Sequence, residues 1–338
     1  MGNAKRPGEF ELIRRYFAPL AAATPAALGL GDDAAILTPR PGQELVVTTD
    51  ALVASVHFLP DDPPDQIARK MLRENLSDLA AKGAAPIGYL MSCAFDHTVD
   101  EAWIVAFCAG LAADQAEFGV GLLGGDTVGT PGPLTLTVTA LGEVPAGRAM
   151  RRNAAKADDL VFVSGTLGDS ALGLKRLRGG LLALSSEEGA FLIDRYRLPQ
   201  PRLRLGRALM ESGLAKAALD VSDGLIADLG HIGEQSDLAA EVERTRLPLS
   251  PAGAHALDED PALIEDIVAG GEDYELLFCA PRNAPSAQEY TRRLGCRVTE
   301  IGAVARGRGV HFTRAGRVYE AAEAGFRHFK PVPREPEK

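Results

Sequence analysis

The strongest constraint on how this chain folds is a set of six short acidic motifs spread between residues 31 and 275. They are Gly31-Asp32-Asp33, Thr48-Thr49-Asp50, Ser77-Asp78, Gly124-Gly125-Asp126-Thr127, Asp220-Val221-Ser222-Asp223-Gly224 and Gly270-Gly271-Glu272-Asp273-Tyr274-Glu275. Each places a carboxylate at an expected strand end or tight turn beside Gly, Ser or Thr. Singly, such motifs are turn and capping chemistry. Gathered in one place, they would repel each other and raise some carboxyl pKa values unless cations sat among them. Magnesium takes oxygen ligands and bridges carboxylates to phosphates, so such a cluster suits more than one ion.

The 338 residues, 46% hydrophobic and 24% charged, are enough for two domains with cores of their own. A net charge of −10 argues against nucleic acid or an anionic membrane as the main partner, because both need a basic footprint. No apolar run approaches the roughly 20 residues of a membrane span, and Met1 to Phe10 lacks the apolar core of a signal peptide. Cys93, Cys108, Cys279 and Cys296 form no C-x-x-C pair and lie in or beside apolar runs. They read as small buried hydrophobes of a cytoplasmic protein.

Patterning gives an α/β fold of the α+β type. Strands are expected over Leu45 to Phe58, Ile87 to Phe95, Val120 to Leu123 and Leu134 to Val144, with helices over Asp65 to Lys82 and Ala102 to Phe118. Gly83 is placed to end the first of these helices. The segment Pro145 to Asp159 is poor in large apolar residues, which sets the division at 1–147, 148–330 and a tail at 331–338. Beyond it come a strand at Leu160 to Val163, helices at Asp169 to Leu177, Leu205 to Leu214 and Gly224 to Glu234, and strands at Asp273 to Cys279, Val298 to Val304 and Val310 to Thr313.

Position sharpens some candidates. On the helix Asp65 to Lys82, Ala68, Leu72, Leu76 and Leu79 form the apolar face, and Arg69, Lys70, Arg73 and Glu74 lie around the other side. Asp78 falls at the edge of the stripe, as a metal ligand or as the i, i+4 partner of Lys82. There is no G-x-x-x-x-G-K-[ST] loop. Ser164 to Ser170 follows a strand and opens a helix, either as an anion cradle or as an ordinary connection. Gly124-Gly125 could admit a phosphate close to the backbone, and Arg152 could neutralise transition-state charge. His57 lies in the strand region of Asp50, and no histidine has zinc-ligand spacing with another.

Taken in order, these motifs resemble the thiamine-monophosphate kinases, within the superfamily of aminoimidazole ribonucleotide synthetase, selenophosphate synthetase and a hydrogenase-maturation protein. The resemblance runs from Gly8-Glu9-Phe10-Glu11-Leu12-Ile13 to Gly325-Phe326-Arg327-His328-Phe329. Asp220 to Leu229 (DVSDGLIADL) and Gly270 to Leu276 (GGEDYEL) point to the kinase branch. A selenophosphate synthetase would want a reactive cysteine in a Gly-rich N-terminal loop, and the first cysteine here is Cys93. The maturation protein would want a C-terminal cysteine, and this chain ends in Lys338.

The resemblance implies an aminoimidazole ribonucleotide synthetase-like fold whose N-terminal sheets pair into a barrel across a homodimer. It implies magnesium at Asp33, Thr48, Thr49, Asp50, Asp78, Asp126, Asp220 and Asp223. ATP would meet Gly125, Asp126, Arg152 and Ser222. Thiamine monophosphate would meet His57, Glu272 and an aromatic, Phe326 or Phe329. Asp50, Asp126 and Arg152 would be catalytic in a direct in-line transfer. The acceptor phosphate is largely ionised near neutrality, so that chemistry needs no general base.

Overall fold

The computed structural model describes residues 7–314 and 317–319. Phe326, Phe329 and the tail at 331–338 lie outside the described residues. The chain opens with α1 (Glu9–Leu12), a π-helical turn (Ile13–Phe17) and α2 (Ala18–Ala21). Then follow β1 (Gln43–Val53), α3 (Pro64–Lys82), β2 (Ala85–Phe95), α4 (Glu101–Phe118), β3 (Leu122–Gly129) and β4 (Thr135–Pro145). These four strands form one sheet in the order β1-β4-β2-β3. β2 and β3 run parallel, joined through α4, and the other pairs are antiparallel.

The alternation expected for β4 is present. Leu136, Val138 and Ala140 are buried, and Thr135, Thr137 and Thr139 face the other way. On that second face Leu45, Val47, Leu90 and Val128 remain exposed. β3 continues through the Gly124-Gly125-Asp126 motif rather than ending before it.

The second half contains β5 (Leu160–Ser164), α5 (Asp169–Leu177), α6 (Ser186–Arg197), α7 (Leu203–Ser212), β6 (Ala217–Asp220), α8 (Leu225–Ser236) and β7 (Ala239–Glu243). It continues with α9 (Pro251–Glu259), α10 (Ile264–Ala269), β8 (Leu276–Ala280), α11 (Ala287–Leu294), β9 (Val298–Ala305), β10 (Val310–Arg314) and β11 (Arg317–Tyr319). Its sheet has the order β11-β10-β7-β9-β5-β8-β6. β8 starts at Leu276, not Asp273, because the residues before it form an irregular loop with Glu272 at φ 69° and Tyr274 at φ 51°. β6 and α6 were not anticipated, nor were β7, β11, α9, α10 and α11. The first is only Ala-Ala-Leu-Asp, too short to show a period, whereas α6 carries a legible capping box of Ser185 and Glu188.

The α3 helix joins the halves. It ends as expected, with Gly83 in the left-handed region at φ 74°. Its supposed polar side is a correction: Lys70, Arg73 and Glu74 are buried, because the second half packs on them. Arg73 grips Asp114 of α4 with Nε to Oδ2 at 2.7 Å and Nη2 to Oδ1 at 2.9 Å, and Nη1 reaches Pro199 O at 3.2 Å. Arg197 Nε meets Asp62 Oδ1 across the same junction at 2.7 Å. Cys93, Cys108 and Cys279 are buried. No helix among the described residues is long and apolar enough to cross a membrane.

The two halves pack tightly at Gly206 of α7, where a Cβ would stand 1.9 Å from Ala80 O of α3. Gly206→Ala therefore forces the helices apart. A destabilisation of about 1–3 kcal/mol is expected, read as a lower urea midpoint by circular dichroism.

Candidate functional site

The core of the site is built where β1, α3 and β6 meet. Strand alternation turns Thr48 and Asp50 to the α3 side of β1, Asp78 lies near the end of α3, and Asp220 closes β6. Thr48 Oγ1 donates to Asp78 Oδ2. Burial first, then the nearby Asp78 charge, pushes Asp50 up to about 6. The same two causes push Asp220 up to about 7. These are the self-repelling carboxylates that the motifs foretold.

Asp78 does not pair with Lys82 directly. Lys82 Nζ points to Ala218 O at 3.5 Å, and burial followed by the Arg152 charge lowers its pKa. Arg152, Lys82, Asp78 and Thr48 line one cleft of about 660 Å³. Thr49 is different. Its side chain is on the opposite face of the sheet, donating to Val138 O at 3.0 Å, so its hydroxyl is not part of this group.

The two kinase-branch stretches meet beside Asp220. Glu272 N donates to Ser222 O, Tyr274 N to Val221 O, and Val221 N to Glu275 O, each at 2.8 Å. A Cβ on Gly271 would stand 2.0 Å from Ser222 O, which is why this close strap needs glycine. Asp223 comes together with Asp228 and His231, one ligand atom from each lying within 4.8 Å of the others. Asp228 accepts from the Ser222 and Asp223 amides at 2.9 Å, and burial followed by Asp220 and Asp223 raises it to about 8. Sequence reading missed Asp228 and His231, although the two stand at i, i+3 on the helix that follows the Asp223 motif.

A second group stands elsewhere. Asp33, Gly125 and Asp126 line a cleft of about 600 Å³ at the β3 edge. Asp33 and Asp126 are exposed. The strand order sets Asp50 and Asp126 on opposite edges of the sheet, three strand spacings or ~14 Å apart. The missing Cβ of Gly125 is explained within the sheet, since one would stand 1.8 Å from Met91 O.

The Ser164 to Ser170 turn is not an open anion cradle. Its amides are taken by Asp273, whose Oδ2 accepts from Gly168 N at 2.7 Å and Oδ1 from Ser170 N at 3.3 Å. His57 and Glu272 do come together. Lys70 Nζ lies 2.9 Å from both His57 O and Glu272 Oε1. His57 Nδ1 accepts from Val53 N at 2.9 Å, so the neutral ring carries its proton on Nε2.

Comparison with known proteins decides the lineage. The AIR synthase related protein N-terminal domain matches residues 31–144 and the C-terminal domain residues 156–314. The thiamine-monophosphate kinase of Caulobacter vibrioides is 44% identical over 330 residues, covering 96% of this chain and 92% of its own. This chain belongs to the thiamine-monophosphate kinase family. The kinase of Escherichia coli K12 is 41% identical, with 95% of this chain and 98% of its own covered. Among solved structures, the thiamine-monophosphate kinase of Stenotrophomonas maltophilia is 41% identical with a TM-score of 0.80, over 93% of this chain and 98% of its own. AaThiL complexed with AMPPCP and TMP is 30% identical with a TM-score of 0.76, over 95% and 97%.

The raised carboxyls fix a sign. A carboxyl whose folded pKa exceeds its unfolded value contributes stability that is present at low pH and lost as pH rises through the folded pKa. In chelator, the melting temperature should therefore fall between pH 5 and pH 8, through the range about 6 to about 7 set by Asp50 and Asp220. Asp220→Asn should melt higher than the unmutated chain at pH 8 without metal. A flat pH profile by differential scanning calorimetry would refute this.

Proposed function

We propose that this enzyme transfers the γ-phosphoryl group of ATP to the phosphate of thiamine monophosphate, releasing ADP and thiamine diphosphate. The observation that carries the reading is the convergence of Asp50, Asp78 and Asp220 where three elements meet, with Arg152 in the adjoining cleft. A related protein, AaThiL, has been solved with AMPPCP and TMP, which supports the same pair of substrates here.

The donor set suits magnesium: oxygen ligands only, and carboxyls raised by burial and then by the neighbouring Asp78 charge, which a divalent cation would offset. Asp33, Thr48, Asp50, Asp78, Asp126, Asp220 and Asp223 would hold such ions. The chemistry such ions would supply there is neutralisation of phosphate charge.

The residues of the chain do the rest. Two like charges at 4 Å cost about 4 kcal/mol at an effective dielectric of 20, so bringing two phosphates together is the main barrier. Arg152, exposed at the mouth of the cleft with Asp78, supplies positive charge to the transferring group. Ser222 and Gly125 are assigned to the nucleotide, and His57, Glu272 and Phe326 to thiamine monophosphate. The Glu272 carboxylate complements the cationic thiazolium ring. Because the acceptor oxygen is already ionised, attack on the γ-phosphorus is direct and in line, with no covalent enzyme intermediate.

The open face of the first sheet, with Leu45, Val47, Leu90 and Val128 exposed, supports a homodimer closed through that sheet. In such a barrel the β1 edge of one protomer adjoins the β3 edge of its partner, bringing Asp50 to Asp126 of the partner subunit. This accounts for two acidic groups that one protomer holds apart.

Mass spectrometry of a reaction with ATP, magnesium and thiamine monophosphate should show thiamine diphosphate, and Asp50→Asn should lower kcat by roughly a hundredfold or more. Aminoimidazole ribonucleotide synthesis instead, from formylglycinamidine ribonucleotide, would overturn the assignment. Mixing and reassociating Asp50→Asn with Asp126→Asn should restore about a quarter of the wild-type activity, since half the dimers are mixed and each has one intact shared site. No recovery would place both aspartates in a single protomer's site.

A further inference from the structure

We infer that Lys70 is the positioning residue for the thiamine-phosphate end of the site, a buried ammonium that holds His57 and Glu272 together across the junction of the two halves. The inference rests on the assignment of those two residues to that substrate.

Lys70 is 2% exposed, on the side of α3 that sequence periodicity gave to solvent. A buried ammonium is costly unless its donors are satisfied. Here they are. Nζ lies 2.9 Å from His57 O, 2.9 Å from Glu272 Oε1, and 4.0 Å from the centre of the Tyr196 ring. An ammonium has three donors, and two carbonyl or carboxylate oxygens and a ring face use all of them. Lys70 therefore has nothing left for a ligand and acts through its neighbours.

Those neighbours need fixing. Glu272 sits at φ 69° in a loop that glycines press against Ser222. A non-glycine residue there persists only when its surroundings over-determine it. His57 follows a turn with Ser55 at φ 69°. One side belongs to the first half of the chain and the other to the second, so Lys70 fixes their separation. Glu74, one turn on, is also buried; burial raises its carboxyl well above the usual carboxylate range, and the Lys70 charge pulls it down. Glu272 keeps 26% of its side chain exposed, with Oε1 on Lys70.

The test uses the full chain with Lys70→Met, Lys70→Arg, Glu272→Gln and the double variant Lys70→Met/Glu272→Gln. Hydrogen–deuterium exchange without ligand reads the positioning itself. Lys70→Met should speed exchange at 53–58 and 270–276 and leave α9 unchanged. Kinetics read the consequence: KM for thiamine monophosphate rises about tenfold or more, while KM for ATP moves less than about twofold. The double variant should be little worse than the worse single one, because the residues act as a unit. Lys70→Arg keeps the charge but not the compact geometry, so it should fall between, and it carries both readouts if Lys70→Met does not fold. Unchanged exchange, or an equal rise in both KM values, overturns the inference. If the unmutated chain makes no thiamine diphosphate, the functional assignment fails, and exchange alone decides whether Lys70 holds the two segments.

Discussion

The structure depends on burying α3 between two sheets while keeping the carboxylate near its end accessible. One face of the helix carries Leu72, Leu76 and Leu79 into the first core. Another presents Lys70, Arg73 and Glu74 to the second half of the chain. Such a position is favourable only if every buried charge finds a partner. Asp114, Pro199, His57 and Glu272 supply partners for the two cations. The helix is thus the frame against which both β1 and the loops after β6 and before β8 are registered.

Around that frame the acidic motifs are unequal. Burial, and then the nearby Asp78 charge, pushes Asp50 and Asp220 toward their neutral forms. Asp33 and Asp126 are exposed at the far edge of the sheet. The first group stores electrostatic repulsion in the folded chain, and a divalent cation would release it. The second group lines the cleft at the β3 edge. The proposed homodimer would unite them in a shared site, through the sheet face that a single protomer leaves uncovered.

The strap between Gly270-Gly271 and Ser222 illustrates how two motifs become one site. Neither stretch is catalytic in pattern by itself. Their close approach requires that no Cβ intervene, and it sets Glu272 and Tyr274 in backbone conformations that side chains rarely adopt. Asp273, between them, turns the other way and takes the amides opening α5, so a turn that looked ready for a phosphate is filled by the protein's own carboxylate. Periodicity could not reveal this, because it depends on residues more than a hundred positions apart.

What the sequence determined by itself was local. The Val and Thr alternation set which face of β4 is buried, Gly83 set the end of α3, and the acidic turns marked where cations would be wanted, because each rests on neighbours within a few residues. Only the tertiary structure decided which motifs share a site. It parted Asp50 from Asp126 through the strand order, turned the Thr49 hydroxyl away, and added Asp228 and His231 to Asp223. It also buried Lys70, which a single helix's pattern assigns to water. Burial is a property of what packs against a residue, and for Lys70 that partner is encoded some two hundred positions away, at Glu272 and its loop.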